Sequence, residues 1–350
     1  MKAIQMTGIK QLEMVDIPVP VPSVDEVLLK VMAVGVCGSD IPRINKYGAH
    51  CLPIIPGHEF AGEIAEVGAK VEGWKKGDHV CVAPLLPCYH CEWCRKGEFS
   101  LCTDYKYYGS RNQGAFGEYL AVDPRNMVKL PADIPFDWGA MVDPAANALH
   151  ACFRGNLRAE DSLCVYGLGA IGILAIQYAK ALGVKTVIAV DIHDMKLDVA
   201  RKSGATICIN SAKQDPVSAV REGTDGKGAS VVLEMSGVPA VQNSAVLSAS
   251  KMGRVVFLGI SHNGLNLEKQ AVDNILRYQL CVCGSWNSFS QPFPGREWTE
   301  SVQLMHEKKL NPDLIISDRH NLEEVPAIFR KIDEDPSFIF NKIMFYPAGM

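Results

Sequence analysis

Gly167-Leu168-Gly169-Ala170-Ile171-Gly172 stands between a short apolar run, Ser162–Tyr166, and a run with helical spacing at 172–182. Strand, glycine turn and helix, in that order, open a βαβ unit. The first glycine makes the tight turn, the second lets backbone approach a pyrophosphate, and the third lets helix pack on strand. The helix N-terminus then offers free N–H groups and the positive end of its dipole to the phosphates. A second strand at 186–190 is followed by Asp191. That carboxylate is placed to accept hydrogen bonds from the adenosine ribose hydroxyls and to repel a 2′-phosphate. The expected cofactor is therefore NAD rather than NADP, held by Gly167, Leu168, Gly169, Ala170, Ile171, Gly172 and Asp191. A glycine turn that only packs a helix on a sheet is the plainer alternative. The coincidence of turn, helix and acid argues against it.

The rhythm around this motif sets the fold class. Further strands are predicted at 206–209, 230–234, 254–259 and 279–283, with helical segments between several of them. Strands alternating with helices make a doubly wound parallel sheet. Before about residue 150 the runs at 26–35, 60–67 and 77–82 are short and separated by Gly and Pro, a β-rich pattern with little long helix. A chain of 350 residues is long for one domain. The expected division is 153–289 for the dinucleotide domain, with 1–152 and 290–350 forming the other. Apolar residues at 48% and charged residues at 21% indicate a globular chain. No run could span a bilayer and the N-terminus has no signal core, so a cytoplasmic protein with no membrane partner is expected. A net charge of −4 without a basic block argues against nucleic acid as partner.

Of twelve cysteines, four lie within fifteen residues, at Cys88, Cys91, Cys94 and Cys102. Disulfides are a weak reading in a cytosolic chain. Four thiolates suit a closed, structural zinc site in a lobe at about 84–103. An iron–sulfur cluster also takes four cysteines, but the fourth spacing differs and no proline follows Cys102. A mixed set lies elsewhere: Cys37-Gly-Ser39-Asp40 after a strand, Gly-His58-Glu59 about twenty residues on, and Asp143 in Val-Asp-Pro. Singly each is unremarkable. Together Cys, His and carboxylate are the donors of an open, catalytic zinc site.

At this point the chain resembles a family, the zinc-dependent medium-chain alcohol and polyol dehydrogenases. The motifs that carry the resemblance are Cys37–Asp40, Pro-Gly-His-Glu-Phe at 56–60, the four-cysteine lobe, the glycines at 167–172, and Asp191. It implies an α/β protein: a GroES-like β-rich catalytic domain interrupted by a Rossmann domain, with two zinc ions per chain and NAD. Cys37 and His58 match metal ligands. Glu59 matches a carboxylate that binds the metal directly in some members and stands behind it in others. Asp143 occupies the third-ligand position. Asp40 matches an acid that orients His58, and Ser39 the hydroxyl that takes the substrate proton. Many members carry a His three residues beyond that hydroxyl, where this chain has Pro42.

Within the family the chain is similar to the dehydrogenases of galactitol 1-phosphate, over 37–50, 84–88, 109–114 and 284–298. The resemblance implies oxidation of galactitol 1-phosphate to tagatose 6-phosphate. A phosphate needs a cationic clamp, and Arg43, Lys46, His50 and Arg111 are its candidates; a solvated surface charge is the bland reading of each. Sorbitol or xylitol dehydrogenase and L-threonine 3-dehydrogenase are the alternatives. A non-catalytic NAD-binding protein on this fold would be expected to have lost Cys37 or His58. The family also implies a homodimer or homotetramer, with the apolar strand around 279–284 as a sheet-edge contact.

Overall fold

The computed structural model describes residues 1–261 and 263–349. The chain forms two compact units, one of Met1–Asp143, Ser288–His306 and Ile316–Met350, the other of Pro144–Asn287 and Glu307–Ile315.

The second unit is built on a six-stranded sheet whose ladders are all parallel. Its order is Ile207–Asn210, Thr186–Asp191, Ser162–Tyr166, Ala229–Glu234, Ala249–Phe257, Cys281–Gly284. Leu163 to Tyr166, Val187 to Val190 and Val231 to Leu233 are all buried, as continuous apolar strands covered on both faces must be. The strand order reverses beside Ser162–Tyr166, and ligands of such sheets bind at the carboxyl ends of strands at that point. The helix Ala170–Leu182 starts there and ends on Gly183 in the left-handed region (φ 93°).

This unit reaches further than the sequence suggests at both ends. A 13-residue helix, Val142–Arg154, occupies a stretch where no long helix was expected. Arg154 Nε donates to Gly284 O at 3.1 Å, tying the helix to the parallel sheet, and the compact unit begins at Pro144. Residues 307–315 also join it: Asn311 N donates to Gln177 Oε1 (2.7 Å) and Gln177 Nε2 to Asn311 O (3.1 Å). The predicted strand at 254–259 is instead Ala249–Phe257, whose register shifts against Ala229–Glu234.

The first unit carries a seven-stranded sheet centred on Val27–Gly35. That strand pairs antiparallel with Glu59–Val67 and Tyr119–Val122, and at its carboxyl end with Lys342–Tyr346. Gly35 stands opposite both Glu59 and Met344. Cys37, Glu59 and Lys342 are thereby brought to one end of the sheet. Val31, Val34, Phe60, Phe116, Phe329 and Phe345 lie in the core beneath. Among the described residues no helix is long and apolar enough to cross a membrane.

Candidate metal centres and dinucleotide site

Two glycine-dependent contacts build the first site. Gly114 N donates to Ile55 O (2.7 Å), Ala115 N to Gly57 O (2.9 Å) and Phe116 N to Pro56 O (2.9 Å). A Cβ on Gly109 or Gly114 would stand 2.5 or 2.3 Å from Gly57 O, so only glycine lets these segments meet. The contact sets Tyr107 edge-on to His58, with ring centroids 5.6 Å apart.

One donor atom each from Cys37, His58 and Glu59 lies within 4.8 Å of the other two. His58 and Glu59 are buried, and Asp40 behind them is wholly so. Asp40 Oδ2 accepts from Cys37 N (3.3 Å) and Oδ1 from Arg43 Nη1 (2.9 Å). His58 Nδ1 is 3.3 Å from the same Oδ1, a charge contact short of hydrogen-bond geometry. With Nδ1 turned to Asp40, Nε2 is the nitrogen that could ligate a metal. Burial pulls the His58 imidazole down, but Asp40 and Cys37 more than offset it and hold it well above the usual histidine range. Burial raises Asp40, and His58 and Arg43 outweigh it and bring the carboxyl below its ordinary value. The cluster thus favours positive charge at its centre. Cys, His and carboxylate with that preference fit a mixed-ligand zinc site with a position left open. Ser39 Oγ donates to Cys37 Sγ at 3.2 Å.

Asp143 does not fall within this group. It is buried in the first turn of Val142–Arg154, where burial and then the Glu59 charge push its carboxyl up to about 7. Lys342, which no sequence motif singles out, lies behind the cluster. Its buried ammonium pairs with Glu59 Oε2 and donates to Val36 O at 2.9 Å. Burial lowers its pKa, and the Glu59 charge more than restores it. A lysine heading the apolar run Lys342–Tyr346 was the signal available.

The four-cysteine lobe has its sulfurs gathered and unbridged. Cys88 and Cys94 Sγ are 3.9 Å apart, and Cys91 and Cys102 Sγ 4.0 Å. Four sulfurs each about 2.3 Å from one zinc would lie about 3.8 Å apart. Cys91 caps the short helix Glu92–Arg95, its sulfur accepting from Cys94 N. Backbone bonds from Cys94 and Thr103 bring the Cys91 thiol down to about 5, suited to a thiolate ligand. The lobe is braced from outside the run. Ser100 Oγ accepts from Phe289 N (3.1 Å), and Phe293 packs edge-on to Tyr89 and Phe99.

Three of the four cationic candidates lie within electrostatic reach of one another. Arg43 is anchored on Asp40, and Arg111 lies 4.8 Å from the Tyr105 ring centroid, which neighbours Tyr107. Burial, then the charges of Arg111 and Arg43, hold His50 below the usual histidine range. Lys46 instead stands 5.3 Å over the Tyr47 ring, exposed.

In the second unit Gly167 adopts φ 91°. A Cβ on Gly172 would meet Gly167 O at 2.2 Å, whereas one on Gly169 would meet nothing within 4 Å. That open space at the helix start is what a pyrophosphate needs, and no side chain caps the first turn. Asp191 accepts from Leu168 N (2.9 Å) and His193 N (3.0 Å), so its carboxylate also holds the glycine loop.

Comparison with known proteins places this geometry. The alcohol dehydrogenase GroES-like domain family matches residues 23–132, and the zinc-binding dehydrogenase family residues 170–307. Galactitol 1-phosphate 5-dehydrogenase of Escherichia coli K12 is 39% identical over 308 residues, 88% of this chain and 89% of that protein. The crystal structure of galactitol-1-phosphate dehydrogenase from Escherichia coli superposes with a TM-score of 0.94 at 36% identity, covering 99% of this chain and 100% of that one. Sorbitol dehydrogenase of Bacillus subtilis is 31% identical over 99% of this chain and 97% of its own. A zinc-binding dehydrogenase from Sinorhizobium meliloti, solved with NADP, has a TM-score of 0.92 at 28% identity, with 99% of both chains covered. The chain belongs to the zinc-dependent alcohol and polyol dehydrogenases.

Proposed function

We propose that the protein oxidises a secondary alcohol of a phosphorylated polyol to the ketone with NAD, the substrate being galactitol 1-phosphate and the product tagatose 6-phosphate. The observation that carries the phosphate is that Arg43 is bonded to Asp40 behind His58 while the Arg111 backbone meets Cys51, so that His50 lies within electrostatic reach of both guanidinium groups. Three cationic or protonatable groups at one place suit a dianion better than a neutral sugar alcohol. The similarity to galactitol 1-phosphate 5-dehydrogenase points the same way.

Cys37, His58 and Glu59 would hold the catalytic zinc, with Asp143 close enough electrostatically to feel Glu59 and His58. Cys88, Cys91, Cys94 and Cys102 would hold the structural one. Zinc supplies a Lewis acid that eases loss of the substrate hydroxyl proton, and NAD supplies the hydride acceptor. The remaining work falls to the chain. Asp40 fixes the His58 ring. Ser39 Oγ, on Cys37 Sγ, is placed to take the proton. Lys342 keeps the buried Glu59 charge neutralised from behind. Asp191 selects NAD over NADP, because a 2′-phosphate would face a carboxylate.

The test is kcat/KM with NAD for galactitol 1-phosphate, sorbitol, xylitol and L-threonine. The reading expects galactitol 1-phosphate to lead. A lead of about tenfold or more for sorbitol would replace it with a sorbitol-type polyol dehydrogenase.

A further inference from the structure

We infer that Arg43 couples recognition of the substrate phosphate to the alignment of the candidate catalytic histidine, through Asp40. The inference rests on the polyol-phosphate reading and adds a role that reading does not require.

Asp40 Oδ1 accepts from Arg43 Nη1 at 2.9 Å and also faces His58 Nδ1 at 3.3 Å. Asp40 is wholly buried, and its other oxygen accepts from Cys37 N. Among the described residues its carboxylate has three polar partners, of which two belong to the proposed metal centre and the third is Arg43. That third neighbour alone leads outward. The Arg43 side chain is 21% exposed against 0% for Asp40. It sits in a single irregular turn, Arg43–Tyr47, with its Gly48 end in the left-handed region. A guanidinium offers five N–H donors in a planar fork. Asp40 takes one hydrogen bond, which leaves the fork able to engage a second anion. Arg111 meets the neighbouring segment, its carbonyl oxygen 3.7 Å from Cys51 Sγ, and both guanidinium charges act on the His50 imidazole next to it.

A phosphate held by Arg43, Arg111 and His50 would fix the Arg43 fork. A fixed fork orients Asp40 Oδ1, and Asp40 in turn sets the His58 ring. Binding energy from the remote, non-reacting end of the substrate is then used to order the reacting end, which raises kcat and not only affinity. Arg43 is in this sense a positioning residue as well as a phosphate contact. Arg111, which lies over Tyr105 and among the described residues is not bonded to Asp40, would act on affinity alone.

The experiment uses the zinc-loaded full chain with NAD and three readouts. The first is oxidation of unphosphorylated galactitol with and without inorganic phosphate. The second is the kcat and KM of galactitol 1-phosphate for the parent, Arg43→Ala, Arg43→Lys and Arg111→Ala. The third is the rate at which a chelator removes the less tightly held zinc. Inorganic phosphate should speed galactitol oxidation by about tenfold or more in the parent, and not in Arg43→Ala. Arg43→Ala should lower kcat on galactitol 1-phosphate by roughly tenfold to a hundredfold and hasten zinc loss, the loss of a hydrogen bond to a charged group. Arg111→Ala should raise KM more than it lowers kcat. If Arg43→Ala does not fold, as judged by circular dichroism, Arg43→Lys carries the test, with kcat lowered in a folded protein because an ammonium lacks the fork. The coupling is overturned if the substitution at Arg43 raises KM alone with kcat and zinc loss unchanged. It is equally overturned if galactitol 1-phosphate is preferred but inorganic phosphate leaves galactitol oxidation unaltered. A parent enzyme that prefers unphosphorylated polyols would instead defeat the substrate reading itself.

Discussion

Lys342 and Glu59 each expose only 3% of their side chains, and each is the other's countercharge. Removing one partner of a buried pair leaves an uncompensated charge, at a cost of about 3–5 kcal/mol. Lys342→Met should therefore lower the thermal stability of the zinc-stripped protein strongly. Zinc-loaded protein should lose less, because the metal supplies positive charge near Glu59. Thermal unfolding with and without chelator measures both. A second buried acid gives a pH dependence away from the metal. Glu234 is wholly buried at the end of Ala229–Glu234, and burial raises its carboxyl above the ordinary glutamate range even though Ser236 and Gly237 donate to it. An acid raised in the folded state contributes stability that is full below its unfolded value, about 4.3, and is lost as pH rises through the folded value. Across that window Glu234→Gln should gain stability relative to the parent as pH rises, as followed by urea unfolding. Single residues were unevenly legible in the sequence. Cys37, His58 and Glu59 stand in short motifs whose chemistry is unusual, and they do come together. Lys342 is nearly three hundred residues from its partner. Only the pairing of Lys342–Tyr346 with Val27–Gly35 brings it there. Lys46 was legible as a cation, but its sequence position does not say that it turns to Tyr47.

At the scale of elements, the strand, glycine turn and helix of the second unit could be read directly because they are contiguous. Strand Ser162–Tyr166 starts and stops where the pattern placed it. The 2.2 Å approach that a Cβ on Gly172 would make to Gly167 O gives a sharp prediction. Gly172→Ala should weaken NAD binding by roughly tenfold to a hundredfold, the effect of about 1–3 kcal/mol of overpacking, as read by a fluorescence titration. Asp191→Ser should narrow the preference for NAD over NADP in kcat/KM, and should also lower the NAD value itself. The second effect follows from the structure, since Asp191 holds Leu168 N and His193 N. The four-cysteine lobe was legible as a cluster and not as a braced element. Its bonds to Phe289 and packing on Phe293 join segments almost two hundred residues apart. The meeting of 107–114 with 55–58 was hidden for the same reason, and with it the place of Tyr107 beside His58.

At the scale of the whole molecule, alternating strands and helices after about residue 160 sufficed for the parallel sheet. The boundaries at Pro144 and around 307–315 did not follow, because they depend on how segments distant in sequence pack, as where Gln177 meets Asn311. The edge strand Cys281–Gly284 bears on assembly: Cys281, Val282 and Gly284 are exposed, and among the described residues the strand has a neighbour in the sheet on one side only. An unpaired apolar edge is a template for a second strand. Light scattering should give at least twice the chain mass, and Val282→Lys should reduce it. The proposed chemistry stands on two metal centres of different kind, one that the four sulfurs of Cys88, Cys91, Cys94 and Cys102 would close and one that Cys37, His58 and Glu59 would leave open. Zinc analysis of protein prepared without chelator, for the parent and for His58→Ala and Cys94→Ser, tests that most directly. The expected result is about two zinc ions per chain in the parent and about one in each variant, with NAD still bound by all three. A parent that carries no zinc, or a His58→Ala protein that keeps both ions, would contradict it.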